Sequence, residues 1–321
     1  MHRNPVGERS LIEKEIVLKG LMQPNKYISS RFLYDKEGSR LFQKIMKMPE
    51  YYLYEAEYEI LKEKGAEIWQ SLSFEQPYCI VELGAGDGSK TVQLLHHMQK
   101  DRLFEKYCPV DISPESNLDL VRRLNKSIPD LVVEPVNGNY HVELDHLIPS
   151  DQAVLLLFLG SNIGNFRLEK IELLMRKFGK SMKKGDAVLI GMDLKKHPRL
   201  IQNAYDDKEG ITRDFNLNLL QRFNREMGAD FDLDQFDFYS HYDPLSGEVR
   251  SYLVSCISQE VYFSDLNATI SFDKNELIHT EVSRKFDLNE IYRIFSNSGF
   301  HDLRFWQDRN EYFVDVLAVR S

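Results

Sequence analysis

The sequence predicts an α/β protein with a mostly parallel sheet and a second, smaller α+β lobe. From about residue 60, short apolar runs alternate with amphipathic helical patterns, as in successive βαβ units. Near the end of the sequence, one further helix precedes two apolar runs joined at "DRNE", which predicts an antiparallel pair that closes the same sheet. Two regions, 1–58 and 195–285, do not follow the alternation, and we predict that they form the second lobe.

The predicted sheet is justified element by element along residues 59–194 and 286–321. The predicted strands are "YCIVELGAG", "KYCPVDIS", "LVVEPVNGNY", "AVLLLFLGS" and "DAVLIGMDL". The helices between them are "KTVQLLHHMQK", "ESNLDLVRRLNKSI" and "EKIELLMRKFGKSM". This spacing favours parallel strands with right-handed crossovers.

The second lobe is predicted to join residues 1–58 with an insertion at 195–285. The insertion contains the helical pattern "ITRDFNLNLLQRFNREMG" and strand-like runs such as "EVRSYLVSCIS", "QEVYFS" and "ATISF". Its acidic run "ADFDLDQFDF" has aspartates at calcium-loop spacing, but Gln235 and His241 replace the required glycine and glutamate. We therefore predict no calcium site, and we interpret the alternating Asp and Phe as the start of a helix.

Composition excludes several classes of function. The net charge of −9 provides no basic field for nucleic acid or anionic lipid. No run of residues has the pattern of a signal peptide or a transmembrane helix, and the three cysteines lack metal or disulfide spacing. We expect a cytoplasmic, monomeric protein that needs no metal and binds neither nucleic acid nor membrane.

The loop "VELGAGDGSKT" has glycines at alternate positions, Gly84, Gly86 and Gly88. Glycine permits a sharp turn and close approach of a ligand to the backbone, and the following helix start favours anionic groups. The next predicted strand ends at Asp111, where a carboxylate can bind both hydroxyls of a ribose. The last glycine of G-x-G-x-x-G is missing and the closing strands are antiparallel, so S-adenosylmethionine is favoured over NAD.

The turn "FLGSNIGNF" follows the apolar run "AVLLL" directly. Its two glycines, two asparagines and serine are more small and polar residues than a simple turn requires. In an open α/β sheet, ligands bind at the carboxyl ends of the strands. We therefore predict that this turn contacts a ligand.

Several uncommon motifs occur in order along nearly the whole chain and resemble the L-histidine N-alpha-methyltransferase family of the ergothioneine pathway. They are "SRFLYDKEGSRLFQKIMKMPEYYLYEAEYEIL", "VELGAGDGSKT", "YCPVDIS", "FLGSNIGNF", "AYDDKEGITRDFNLNLL" and "HTEVSRKF". The resemblance implies a class I, Rossmann-like methyltransferase sheet, a substrate-recognition lobe and S-adenosylmethionine as cofactor.

The resemblance also implies the residues that bind the cofactor. The glycine loop and Lys90 would hold the methionine part and the ribose, Asp111 the ribose hydroxyls, and Asn139 with Tyr140 the adenine. The family usually has aspartate where this chain has Asn139, and an amide accepts a hydrogen bond less strongly than a carboxylate. The implied cofactor residues are Gly84, Gly86, Gly88, Lys90, Asp111, Asn139 and Tyr140.

The substrate residues are implied in the same way. Gly160 would leave room for the sulfonium, and Asn165 would bind the α-carboxylate, while Glu281 and Ser283 would hydrogen-bond an imidazole. Tyr34 and Tyr205 would complete the contacts to carboxylate and amine, and Tyr34 would also accept or relay protons as the catalytic residue. The implied substrate residues are Tyr34, Tyr51, Gly160, Asn165, Tyr205, Glu281 and Ser283.

The expected function is transfer of methyl groups from S-adenosylmethionine to the α-amine of an amino acid, with L-histidine and its trimethylated product, hercynine, favoured. Two departures from the family bear on the substrate: Leu53, Tyr54 and Glu55 replace a Pro-Thr-Arg continuation, and Ser251 replaces an apolar residue. Tryptophan or an indole derivative is therefore an alternative substrate. A non-catalytic S-adenosylmethionine-binding protein and a nicotinamide oxidoreductase are rival functions of different classes.

Overall fold

A computed structural model of the protein describes residues 5–111, 114–138, 144, 146–149 and 151–321. The chain divides into two compact units. The N-terminal unit comprises residues 1–52 and 197–283, and the sheet unit comprises residues 53–196 and 284–321. The first boundary falls at the start of a long helix rather than after residue 58.

The described helices and strands follow the chain in this order. The helices are α1 (Pro5–Leu21), α2 (Lys36–Ile45), α3 (Tyr52–Gln70), α4 (Thr91–Met98), α5 (Pro114–Ser127), α6 (Leu168–Ser181), α7 (Pro198–Tyr205), α8 (Ile211–Met227) and α9 (Leu288–Ser296). Strands of the sheet unit are β1 (Tyr78–Leu83), β2 (Phe104–Asp111), β3 (Val136–Asn137), β4 (Ala153–Phe158), β5 (Ala187–Asp193), β11 (Phe300–Gln307) and β12 (Phe313–Arg320). Five further strands are β6 (Phe236–Asp243), β7 (Glu248–Ser255), β8 (Gln259–Phe263), β9 (Ala268–Phe272) and β10 (Leu277–Arg284).

The sheet unit is built on a seven-stranded sheet in the order β11-β12-β5-β4-β1-β2-β3. Strands β1 to β5 pair in parallel, whereas β12 pairs antiparallel with both β5 and β11. This confirms the predicted α/β fold with its antiparallel closing pair. The carboxyl ends of β1, β2, β4 and β5 therefore meet along one edge of the sheet.

Both faces of this sheet are covered, and the central strands are apolar for that reason. All residues of β1, β4 and β5 are buried. Successive residues of β1 belong to different apolar clusters, with Cys79 and Val81 in one and Tyr78 and Ile80 in the other. The alternation follows from strand geometry, in which neighbouring side chains point to opposite faces.

The N-terminal unit has a three-stranded sheet, β10-β7-β6, and a two-stranded sheet, β8-β9. Its two chain segments share one apolar core, in which Phe32 packs edge-on against Phe223 with ring centroids 6.0 Å apart. Asp35 begins α2 by accepting the Gly38 amide, and the same carboxylate accepts the side-chain amide of Asn218 at 2.8 Å. Residues 5–52 are therefore an integral part of this unit.

Two predicted elements differ from the structure. Among its described residues, the run "LVVEPVNGNY" yields the two-residue strand β3 and an isolated bridge from Val133 to Tyr107, because Pro135 between them has no amide to donate. The predicted helix start in "ADFDLDQFDF" is wrong, since a short 3-10 turn, Leu233–Gln235, leads into strand β6. The alternating Asp and Phe have the two-residue period of a strand, and the burial pattern of β6 follows it.

Candidate active site

The glycine loop between β1 and α4 turns sharply at three left-handed positions. Gly84, Gly86 and Gly88 have φ of 69°, 56° and 66°, a region that residues with a Cβ rarely adopt. A Cβ on Gly88 would come within 3.0 Å of Leu120, so this glycine permits close packing of α5. At Gly86, by contrast, no atom of the described chain lies within 4 Å of where a Cβ would be. The loop therefore leaves open space at Gly86, where a ligand can approach the backbone.

Asp111 lies at the carboxyl end of β2, beside this loop. Its Oδ2 accepts the Gly86 amide at 3.2 Å, and its backbone oxygen accepts the Gly138 amide at 3.1 Å. The side chain is only partly buried. The structure thus brings Asp111 and the glycine loop together, as the predicted ribose site requires. The predicted adenine residues, Asn139 and Tyr140, lie outside the described residues.

Lys90, the last residue before α4, is bound within the sheet unit. Its ammonium donates to the carboxylate of Glu57 on α3 and lies 5.8 Å from the ring centroid of Tyr54. The Tyr54 hydroxyl donates to Ser89 Oγ at 2.9 Å. Tyr54, one of the departures from the family pattern, therefore supports the glycine loop directly.

The turn after β4 adopts two consecutive left-handed residues, Gly160 at φ 76° and Ser161 at φ 55°. The Gly160 amide donates to both oxygens of Glu57, at 2.7 and 2.9 Å. Ser161 Oγ accepts the Asp193 amide at 3.2 Å, and a Cβ on Gly164 would lie 2.8 Å from the Arg284 backbone oxygen. Asn165 ends the 3-10 turn Asn162–Asn165 and is partly exposed.

Glu57 was not predicted as a site residue. It is fully buried, although its surrounding sequence "YEAEYEIL" reads as the polar side of an amphipathic helix. Its amide partner Gly160 lies 103 residues away in the chain, and no local pattern indicates that contact. A sequence signal for this residue is therefore absent.

A buried cluster of charged residues lies at the end of β5. Asp193 accepts from Lys285 at 2.8 Å and from Lys196 at 2.5 Å, and both Asp193 and Lys285 are fully buried. Burial alone would raise the pKa of Asp193, but the two ammonium groups outweigh it and hold the pKa below its ordinary value. Because Ser161 contacts the Asp193 amide, this cluster fixes the base of the turn after β4.

Glu82, near the end of β1, is a second buried acid close to the glycine loop. Thr91 at the start of α4 donates to Glu82 Oε1 at 2.7 Å, and the Tyr107 hydroxyl donates to Oε2. Burial raises the pKa of Glu82 to about 7, although these two hydrogen bonds act in the opposite direction. Glu82 thus connects β1, β2 and α4 through one carboxyl group.

In the N-terminal unit, the predicted tyrosines form a connected aromatic group. The Tyr34 ring meets the Phe42 and Phe215 rings edge-on, each at 5.5 Å between centroids. Tyr51 lies 6.2 Å from Phe42 and 6.0 Å from Tyr205. The three tyrosines assigned to substrate are therefore brought together.

Tyr205 and Ser283 are joined by a hydrogen bond of 2.8 Å between the tyrosine hydroxyl and the serine Oγ. Both side chains are buried, whereas Glu281, two residues earlier on β10, is partly exposed. Val282, which lies between Glu281 and Ser283 in the chain, is also buried. The predicted substrate residues of this unit thus extend from the aromatic group to the end of β10.

Ser251 lies in a polar part of the N-terminal unit. It is 2% exposed and stands opposite Ser240 in the β6–β7 register. The side chain of Gln202 on α7 donates to both the Oγ and the backbone oxygen of Ser240. Ser251, where the resemblance implies an apolar residue, therefore lies opposite another polar side chain.

The sheet unit has the features that S-adenosylmethionine requires. The left-handed loop leaves space at Gly86, and Asp111 offers a partly exposed carboxylate at the carboxyl edge of the sheet. Lys90 directly precedes α4, whose N-terminus carries partial positive charge. Within the described residues no group of His, Cys, Asp and Glu has the arrangement of a metal site, and no helix there has the length and apolarity of a membrane span.

Comparisons with known proteins point in the same direction. A family model described as "Histidine-specific methyltransferase, SAM-dependent" matches residues 12–320. The chain is 31% identical over 319 residues to "Histidine N-alpha-methyltransferase" of Mycobacterium tuberculosis, covering 99% of this chain and 98% of that protein. It is also 31% identical over 304 residues to the protein of that name from Mycolicibacterium smegmatis, with coverages of 95% and 94%. "L-tryptophan methyltransferase" of Psilocybe serbica is 26% identical over 333 residues, with coverages of 95% and 92%.

Proposed function

The chain belongs to the family of SAM-dependent, histidine-specific methyltransferases, and from this we propose that it methylates the α-amine of L-histidine and gives hercynine after three transfers. S-adenosylmethionine is its cofactor and supplies the methyl group. The names of its relatives support methylation of an amino-acid nitrogen.

The hydrogen bond between Tyr205 and Ser283 is the observation that carries the choice of histidine. Tyr205 is assigned to the α-carboxylate and amine, and Ser283 to the imidazole. In histidine, as in tryptophan, a single methylene separates these two ends, so the residues that bind them must be close neighbours. The choice of histidine follows from the Ser283 hydroxyl, which can hydrogen-bond an imidazole nitrogen. Their 2.8 Å contact meets that requirement.

Each remaining residue has a proposed task. Glu281 accepts a hydrogen from one imidazole nitrogen, and Asn165 donates its side-chain amide to the α-carboxylate. Tyr34 accepts or relays the proton that the amine must lose before each transfer. The faces of the aromatic group tolerate the methylammonium cation as it grows.

An indole amino acid is the second candidate substrate. Ser251 is smaller than the apolar side chain it replaces, and one relative is named for tryptophan. Against this candidate, Glu281 places a carboxylate where an indole would need an apolar contact. An apolar ring gains nothing from such a group and must accept its desolvation cost.

The test is to incubate the protein with labelled S-adenosylmethionine and each of the twenty amino acids. We expect labelled product from histidine, with a mass that corresponds to three added methyl groups. Histamine, which lacks the carboxylate, should be a poor substrate. Preferred labelling of tryptophan would support the second candidate, and equal labelling of histamine would remove Asn165 from its proposed role.

A further inference from the structure

Glu57 binds two predicted site residues at once. Both of its oxygens accept the amide hydrogen of Gly160, at 2.7 and 2.9 Å, and Oε2 also accepts from the Lys90 ammonium. Gly160 itself is exposed, whereas Glu57 is fully buried. One buried carboxylate thus connects the start of the turn after β4 to the end of the glycine loop.

The sheet beneath Glu57 is shaped to receive its carboxylate. A Cβ on Gly191 of β5 would lie 2.0 Å from Glu57 Oε1, a distance too short for any residue with a side chain at this position. The same Cβ would lie 3.1 Å from Asp315 Oδ1 on β12, the residue paired with Gly191 in the register. The glycine in the middle of β5 is therefore required for Glu57 to reach Gly160 and Lys90.

Asp315 lies beside this contact, in surroundings that disfavour its charged form. It is fully buried, and neither of its oxygens has a hydrogen-bond partner among the described residues. Burial first, and then the charge of Glu57, raise its pKa well above the ordinary value. The ion pair of Glu57 with Lys90 therefore lies next to an acid whose charged form is disfavoured.

We propose that Glu57 is a positioning residue for methyl transfer, which holds the Gly160 amide in its left-handed turn and offsets the charge of Lys90. This inference rests on the proposed function for its effect on turnover, but not for its effect on the turn. Left-handed Ser161 follows Gly160, and such backbone persists only where surrounding contacts fix it. Glu57 supplies one of those contacts, and the Asp193 backbone amide, which donates to Ser161 Oγ, supplies another.

Two consequences with opposite signs follow from replacing Glu57. The change Glu57→Gln weakens the hold on Gly160, so the turn loses its fixed geometry and turnover falls. The same change removes the negative charge next to Lys90, so the attraction of Lys90 for a cofactor carboxylate grows. A residue with only a structural role would lower turnover and cofactor affinity together.

The experiment compares wild type, Glu57→Gln and Glu57→Asp with the control Glu59→Gln. Glu59 lies on the same helix and also binds a cation, the Nε of Arg309, but that arginine is 69% exposed. The readouts are kcat for histidine, the Kd of S-adenosylhomocysteine by calorimetry, and amide hydrogen exchange at Gly160 resolved by NMR. We expect Glu57→Gln to lower kcat about tenfold or more, to leave Kd equal or tighter, and to speed exchange at Gly160.

The outcomes separate this inference from the proposed function. If kcat and cofactor affinity fall together, or if Glu59→Gln has the same effect, Glu57 is not a positioning residue. The wild type alone also tests the inference. The Gly160 amide belongs to an exposed residue, yet it should exchange slowly because Glu57 accepts its hydrogen. Rapid exchange would overturn the inference. A wild type that methylates no amino acid would overturn the proposed function alone, because the exchange and calorimetric readouts still test Glu57.

Discussion

Asp111 accepts a loop amide at the carboxyl edge of the sheet and remains partly exposed. We predict that Asp111→Ala weakens binding of S-adenosylhomocysteine by about 1.5–3 kcal/mol, the usual contribution of a hydrogen bond to a charged acceptor. Calorimetry measures this loss. The control is Asp119→Ala on α5, whose side chain is 71% exposed and pairs with Arg122. Equal affinities for wild type and Asp111→Ala would exclude the ribose contact.

Glu281 tests the identity of the substrate. We predict that Glu281→Ala lowers kcat/KM for histidine by about 100-fold or more relative to kcat/KM for tryptophan, because a site built to hydrogen-bond a polar ring loses most when the bond is removed. The measurement is the double ratio of kcat/KM for both substrates in wild type and variant. Glu260→Ala, at an exposed position of β8, is the control. A double ratio of one would leave amino-acid methylation standing and contradict imidazole recognition.

Some residues of the site could be predicted from sequence and others could not. Asp111 and the alternate glycines stand next to strand and helix patterns, so their place at the sheet edge follows from local order. Glu57 and Lys285 look like surface residues in the sequence, and their burial depends on partners far along the chain. The resemblance to a family named substrate residues, but it gave no indication of these buried contacts.

At the scale of elements, Glu82 joins two strands and a helix through a carboxyl group whose pKa is raised from 4.5 to about 7. A carboxyl group whose pKa is raised on folding makes its full contribution to stability below the unfolded pKa of 4.5. That contribution is lost as the pH rises through the folded pKa of about 7. Relative to Glu82→Gln, the wild type should therefore lose roughly 3 kcal/mol of unfolding free energy between pH 4.5 and 8. Urea unfolding at several pH values measures the difference.

The control for this prediction is Glu105→Gln, because Glu105 is exposed on β2. A stability difference between wild type and Glu82→Gln that stays constant with pH would mean that Glu82 titrates at its ordinary pKa. The direction in which stability changes with pH distinguishes burial from ion pairing. An acid with a lowered pKa, such as Asp193, stabilises the fold at neutral pH and loses that contribution at low pH.

Periodicity predicted the central strands well, because β1, β4 and β5 are buried on both faces and read as continuous apolar runs. It was less reliable at the edges. Strand β3 at the sheet edge pairs over two residues only, and a proline limits it. In β6 the two-residue period was visible, but the acidic residues favoured a helix-start interpretation over the correct strand.

At the scale of the molecule, each unit has its own core, and we predict that cofactor binding depends on the core of the sheet unit and not on that of the N-terminal unit. Phe223→Ala removes a fully buried ring from the N-terminal unit and should cost about 3–5 kcal/mol. Hydrogen exchange should rise in residues 12–52 and 197–283, while S-adenosylhomocysteine keeps its affinity at temperatures below unfolding. The matched variant Phe178→Ala removes a buried ring from the sheet unit and should raise exchange there.

A tenfold loss of cofactor affinity in Phe223→Ala would contradict this assignment of the cofactor to the sheet unit. Analytical ultracentrifugation would test the predicted monomer, which stays a prediction, as does the cytoplasmic location. The net charge of −9 does favour a protein that stays apart from other copies of itself and from nucleic acid.

The order of strands has a consequence for how the protein is made. Strand β12 lies between β5 and β11, so β5 has no neighbour on that side until residues 313–320 have left the ribosome. Synthesis from residue 193 to residue 313 adds 120 residues, which at about 5–20 residues per second takes roughly 6–24 s. During that interval an apolar strand has an open edge that can pair with another chain. Nascent chains of this protein should therefore need a chaperone more than the finished enzyme does.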